Sequence, residues 1–174
     1  MAGPAITVAV VTVSDQAARG ERVDQSGPAL VELVERRLGR VIQTAVVPDE
    51  QPAIRAELER LIGLRGIDLL LTTGGTGVSL RDVTPEATRG VIEREVPGVA
   101  ELMRLEGLRR TPLAMISRAI CGIRSHTVIL NLPGSPKGAV ESLEAALPLL
   151  PHLIDKVQGD PTDCTSVVAE ERAR

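Results

Sequence analysis

The chain has 174 residues, with 20 Lys and Arg against 23 Asp and Glu, and a formal net charge of −3. That length suits one domain whose core needs no disulfide or metal staple. The mild acidity, with both signs interspersed, argues against nucleic acid or an anionic membrane as partner, and the lack of any Phe, Tyr or Trp removes the stacking platforms of single-strand binders. Any bound ring system must therefore rest on aliphatic walls and polar edges.

The first four residues lead straight toward a β-rich run, with no charged n-region, apolar h-region or cleavage site. No apolar run approaches the roughly 20 residues that span a bilayer. A soluble, cytoplasmic protein is expected. Cys121 and Cys164 show no metal-ligand spacing and fit a reducing compartment. They read as a buried small apolar residue and a tail thiol.

In chain order, apolar β-rich runs at 6–13, 41–47, 67–73 and 127–132 alternate with amphipathic helical stretches. Each run is mostly apolar, as expected for parallel strands covered on both faces. Residues 28–38 place Leu30, Val34 and Leu38 on one helical stripe, and Ile54, Leu58, Leu61 and Ile62 oppose Arg55, Glu57, Glu59 and Arg60. Helices are also expected over 97–110, 112–119, 136–147 and about 151–157. Strand–helix alternation with right-handed crossovers predicts an α/β protein, a three-layer α/β/α sandwich with a mostly parallel sheet. One domain should fill 1–160. The polar stretch 161–174 should fray or lie on a neighbour.

In an open parallel sheet, ligands bind outside the carboxyl ends of the strands. Ser14-Asp15 follows the first run, Pro48-Asp49-Glu50 the second, Thr72-Thr73-Gly74-Gly75-Thr76-Gly77 ends the third, and Pro133-Gly134-Ser135-Pro136-Lys137-Gly138 follows the fourth. All four exits should share one edge. A strand that runs into Gly74, Gly75, Thr76 and Gly77 lets backbone N–H groups approach an anion with no Cβ in the way. The turn lacks the Gly-Lys-Ser/Thr ending of a Walker A loop and the dinucleotide fingerprint. Thr84, before Pro85, is expected to cap the next helix. Ser135 should cap another whose free amides form a second anion cradle, with Lys137 adding a point charge.

Asp49 and Asp82 are the paired carboxylates, and two carboxylates beside polyphosphate suit Mg²⁺. Asp15 is either a third acid or a hydrogen-bonding residue. Ser117, Arg118 and Arg124 lie in the excursion before the last run; alone, such arginines are usually solvated. His126 and His152 have no companion at ligand spacing, and no Ser/His/Asp elbow or Cys/His pair is present. The segment reads as a holder of a phosphorylated ligand with a metal.

These stretches, Val11-Thr12-Val13-Ser14-Asp15, Val47-Pro48-Asp49-Glu50, 72–77, 81–87, Ser117-Arg118 and 132–138, resemble the molybdopterin adenylyltransferases of molybdenum-cofactor biosynthesis. That MogA/MoaB-like family includes the G domain of gephyrin, and the resemblance covers about residues 6–159. It implies Mg²⁺-dependent transfer of AMP from ATP to the terminal phosphate of molybdopterin, releasing pyrophosphate, with the product handed on to a molybdenum insertase. It implies Asp49 and Asp82 as catalytic acids and Ser117 at the molybdopterin site; with the residue reading, Asp49 and Asp82 are assigned to hold Mg²⁺, and Arg118 to join Ser117 at molybdopterin. Ser14, Asp15, Thr73 and 74–77 on one side, and Pro133, Gly134, Ser135 and Lys137 on the other, would bind substrate or phosphate. Which cradle takes nucleotide and which takes pterin is left open. A homotrimer or hexamer is expected. Some MoaB-type paralogues lose the aspartate after the first strand or alter the Asp-x-Thr-Pro stretch; this chain keeps both. The rival readings are a non-catalytic molybdopterin carrier and a hydrolase of the competence-damage type.

Overall fold

The computed structural model describes residues 6–161; Cys164 and the rest of the expected tail lie outside them. The sheet has six strands in the order β2-β1-β3-β6-β5-β4. Strands β1 (Ile6–Val13), β2 (Gly39–Val47), β3 (Leu69–Thr73) and β6 (Thr127–Leu132) run parallel. Strand β5 (Cys121–Arg124) pairs antiparallel with β6, and the two-residue β4 (Arg94–Glu95) antiparallel with β5. The parallel strands are linked by α2 (Ser26–Arg37), α3 (Gln51–Gly63) and a long excursion through α4 (Thr84–Arg89) and α5 (Pro97–Leu108). After β6 come α6 (Pro136–Ala146) and α7 (Leu150–Val157). A short α1 (Asp15–Ala18) sits at the exit of β1.

Alternation along the strands divides the core into two layers. Val8, Val10, Leu69, Leu71, Val128 and Leu130 face the side covered by α2, α5, α6 and α7. Ala9, Val11, Leu70 and Ile129 face Ile54, Leu58 and Leu61 of α3 and Ala87 of α4. The three-layer α/β/α sandwich is therefore present, with a mainly aliphatic interior that holds no aromatic side chain. Burying each Leu or Ile of that interior contributes about 1.5–3 kcal/mol before chain entropy is subtracted.

Three features differ from the sequence reading. Strand β2 is an edge strand, open on one side, with Ile42 and Val46 exposed; the apolar run did not mean two covered faces. Strands β4 and β5 were missed because they are only two and four residues long, and β5 contains a glycine. Residues 112–119 do not form one α-helix. A 3-10 turn covers Pro112–Ile116 and stops there, because the Arg118 amide is drawn out to the Thr76 carbonyl at 2.9 Å.

Candidate active site

The parallel strands end level. Val13 pairs with Val47, Thr12 with Thr73, and Thr73 with Leu132. The four exits expected to converge therefore do so on one rim. Strand β1 sends its connection to β2 on one side, while β3 and β6 lie on the other, which makes the crevice a topological switch point.

Two glycine-bearing loops meet there. Gly74 has φ +110 and Gly75 φ +63. A Cβ on Gly74 would lie 2.1 Å from the Val13 carbonyl oxygen, and one on Gly75 would lie 2.3 Å from Thr84 Oγ1. Only glycine fits both the torsion and the space. The Gly74 amide donates to Leu132 O at 3.1 Å, and the Thr73 hydroxyl donates to Pro133 O at 2.7 Å. A Cβ on Gly134 would come within 3.2 Å of Gly74 Cα. The turns after β3 and β6 thus touch along their backbones. Among the described residues, the amides of Gly75, Thr76, Gly77, Gly134, Ser135 and Lys137 have no hydrogen-bond partner. Unspent donors in a glycine turn, and at the start of α6, form the kind of cradle that suits an anion.

Carboxylates flank the cradle closely enough to crowd any side chain placed there. A Cβ on Gly75 would lie 3.3 Å from Asp49 Oδ1, and one on Gly77 would lie 2.9 Å from Asp82 Oδ2. Asp49 is latched to Asp15: its Oδ2 accepts from the Asp15 amide at 2.7 Å, and Asp15 Oδ1 accepts from the Asp49 amide at 3.0 Å. Arg81 grips Asp15 with Nε and Nη2, the closest approach being 2.7 Å. Asp82 Oδ2 accepts from the Ser79 amide at 2.8 Å. Burial pushes the Asp49 carboxyl above its ordinary value, against the Asp15 amide that lowers it, and the charges of Asp15 and Asp82 push it further up. The Arg81 hydrogen bond holds Asp15 below its usual value.

A buried polar network supports the cradle from beneath. Thr84 Oγ1 donates to Gly74 O at 2.8 Å, and Asn131 Nδ2 donates to Thr72 Oγ1 and Thr88 Oγ1 at 3.0 and 2.9 Å. Two cavities open on either side of the ridge formed by Gly75, Gly134 and Ser135. The larger, about 880 Å³, has an aliphatic wall of Leu102, Met103, Leu113 and Ile116. The smaller, about 380 Å³, is lined by Ser14, Arg22, Asp49, Thr73 and Gly74.

The family profile described as "Probable molybdopterin binding domain" matches residues 9–152, most of the chain and all of this rim. The chain belongs to the molybdopterin-binding domain family. The molybdopterin adenylyltransferase of Helicobacter pylori strain J99 is 40% identical over 157 residues, 89% of each chain. The enzyme of that name from Haemophilus influenzae is 45% identical over 141 residues, 80% of this chain and 72% of the relative. Among solved structures, the molybdopterin biosynthesis enzyme MoaB of Thermus thermophilus superposes with a TM-score of 0.84 at 52% identity. That match covers 91% of this chain and 99% of the other.

In this member of the molybdopterin-binding family, the expected residues separate by location. Asp49, Ser14, Thr73 and Gly74 line the smaller cavity, Asp82, Thr76, Gly77, Ser117 and Pro133 the larger, and Gly75, Gly134 and Ser135 both. Ser135 caps α6 as expected, accepting from the Gly138 amide at 3.2 Å. Lys137 does not line either cavity; its side chain is 87% exposed and lies 3.9 Å from Glu141. Asp15 turns out to be the hydrogen-bonding residue and not a third free acid. Arg118 spends its guanidinium on Gly77 O, Asp82 O and Glu86. Arg124 pairs with Glu93 away from both cavities. Thr84 does not cap α4. Val83 holds that position, and the Thr84 hydroxyl serves Gly74 instead.

Arg81, Arg22 and Asn131 were missed. Arg81 stood beside Asp82 in the sequence, but nothing local pointed to Asp15, 66 residues away. Asn131 was concealed inside an apolar strand, where one amide among aliphatics was the available signal.

Proposed function

We propose that this chain is a molybdopterin adenylyltransferase that transfers AMP from Mg²⁺-bound ATP to molybdopterin. The observation that carries this reading is the pair of touching glycine loops with unspent amides, bracketed by Asp49 and Asp82. Joining two phosphorylated substrates asks for alignment and charge neutralisation more than for a protein nucleophile. The free cysteine among the described residues, Cys121, is buried in the sheet with its thiol pushed up to about 12, which makes it unsuited to attack.

An oxygen of molybdopterin's terminal phosphate, already anionic near neutral pH, attacks the α-phosphorus of ATP. The new P–O bond forms as the bond to the bridging β-phosphate oxygen breaks, and pyrophosphate departs. The amides of Gly75, Thr76 and Gly77 hold one phosphate group, and those of Gly134 and Ser135 the other. The aliphatic wall of the larger cavity takes a ring system, with Ser117 at its edge. Asp49 and Asp82 offer an all-oxygen donor pair of the kind Mg²⁺ takes when phosphates and water complete its shell. They stand on either side of the cradle, and the third acid beside them, Asp15, is held by Arg81 and the Asp49 amide. When bound, the ion would offset the charge gathered on the phosphates. The same reading expects a cytoplasmic homotrimer or hexamer that passes its product to a molybdenum insertase.

The test is pyrophosphate release from ATP in the presence of Mg²⁺ and molybdopterin. The wild-type chain should turn over, and Asp82→Asn should lose about 100-fold or more in kcat, the scale for removing one preorganised electrostatic partner. A wild-type chain that binds molybdopterin tightly but releases no pyrophosphate would instead be a carrier.

A further inference from the structure

Arg118 is better placed to hold the site together than to touch a substrate. Its main-chain amide donates to Thr76 O at 2.9 Å. Its Nε donates to Gly77 O at 2.6 Å, its Nη2 donates to Asp82 O, and its Nη1 pairs with Glu86 Oε1. One residue from the excursion before β5 therefore ties both ends of the loop carrying Asp82 and also the first turn of α4. Each of the three guanidinium nitrogens already donates to a protein acceptor, so three of the five N–H groups are committed to holding the loop and the start of α4. The carbonyl groups of residues 77 and 82 meet the guanidinium, and both residues line the larger cavity.

Glu86 fits the same arrangement. Its Oε2 is buried without a hydrogen-bond partner, an arrangement that costs free energy unless the other oxygen is well used. Desolvation raises the Glu86 carboxyl, but the Arg118 hydrogen bond and charge prevail and hold it below its ordinary value. The buried oxygen is tolerated because the carboxylate anchors the arginine.

We infer that Arg118 is a positioning residue for the transfer reaction: it fixes Asp82 and the Gly77 amide through their own backbone, and Glu86 fixes Arg118. This rests on the adenylyl-transfer reading. It departs from the expectation, drawn from the sequence, that Arg118 contacts molybdopterin. Lysine cannot replace it, because one ammonium cannot reach three acceptors in the planar fork that a guanidinium offers.

The experiment compares wild type, Arg118→Lys, Glu86→Gln and the double variant, each keeping the main-chain bond to Thr76. Steady-state kinetics are measured with ATP, Mg²⁺ and molybdopterin, and amide hydrogen exchange is measured on the free protein. Arg118→Lys should lower kcat about 100-fold, the scale of a small misplacement, with KM for molybdopterin within about two-fold. In the free protein, the Asp82 and Ser79 amides should exchange about ten-fold faster while amides of β1 and β3 keep their protection. Glu86→Gln should shift both readouts the same way by less, and the double variant should be no worse than Arg118→Lys alone. A rise of about ten-fold in KM with kcat retained and Asp82 exchange unchanged would make Arg118 a substrate contact and overturn the inference. Faster exchange throughout the sheet would overturn it too, as general destabilisation. Exchange needs no turnover, so an inactive wild type would defeat the functional reading while this arm still decided the role of Arg118.

Discussion

Asp49 sits half-buried between a latch to Asp15 and the open rim, and its ionised form is disfavoured where it stands. The sign of the consequence is fixed by linkage. A carboxyl whose folded pKa lies above its unfolded value binds more protons when folded, so its contribution to stability is fullest below the ordinary carboxylate pKa. That contribution is lost as pH rises through the raised one. At neutral pH the fold therefore carries a penalty at this residue, which Asp49→Asn removes while keeping an oxygen to accept the Asp15 amide. The variant should melt above wild type at pH 7, the gap should narrow as pH falls through the carboxylate range, and AMP transfer should be lost. Thermal melts across that range check it. A stability gain paired with lost activity is the pattern of a residue kept for chemistry. The disfavoured charge was not readable from sequence, where Asp49 was one acid after a proline; its partner Asp15 lies 34 residues away.

Among the elements, the turn after β3 is the one that cannot change. A Gly74→Ala substitution meets both an unfavourable torsion and the Val13 carbonyl, whereas Gly20, at φ +71, has nothing within 4 Å of an added Cβ. Gly20→Ala should cost about 1–2 kcal/mol, the left-handed backbone penalty. Gly74→Ala should cost more than that, because Val13 or the turn must also move. Urea denaturation of the two variants separates torsion from contact, and equal losses would mean the turn relaxes freely. Strands β1 and β6 were legible to the residue because long β-branched runs bounded by Ser14 and Pro133 leave little choice. The glycine turn was legible for the same reason. The 3-10 segment at Pro112–Ile116 was not, since what stops it is a hydrogen bond to Thr76, 42 positions back. Thr84 misled for a like reason: its local pattern read as a cap, and tertiary contact with Gly74 took its hydroxyl.

On the scale of the whole molecule, the sheet order brings four chain segments with no sequence proximity to one level rim. Parallel register is the cause: once β1, β3 and β6 pair in step, their exits must be neighbours, which is why the residues just past each strand were enough to locate the candidate rim. The split into a polar and an aliphatic cavity needed α5 packed against both α6 and the 3-10 turn, and no single stretch announces it. An aromatic-free core and cavity wall follow from composition alone. The central claim is that the backbones of Gly75–Gly77 and Gly134–Ser135, between Asp49 and Asp82, hold the phosphates. A crystal structure of the chain with AMP and Mg²⁺ tests it most directly. Phosphate density should lie within hydrogen-bond distance, about 3 Å, of these amides. A nucleotide bound elsewhere, with this ridge bare, would contradict it.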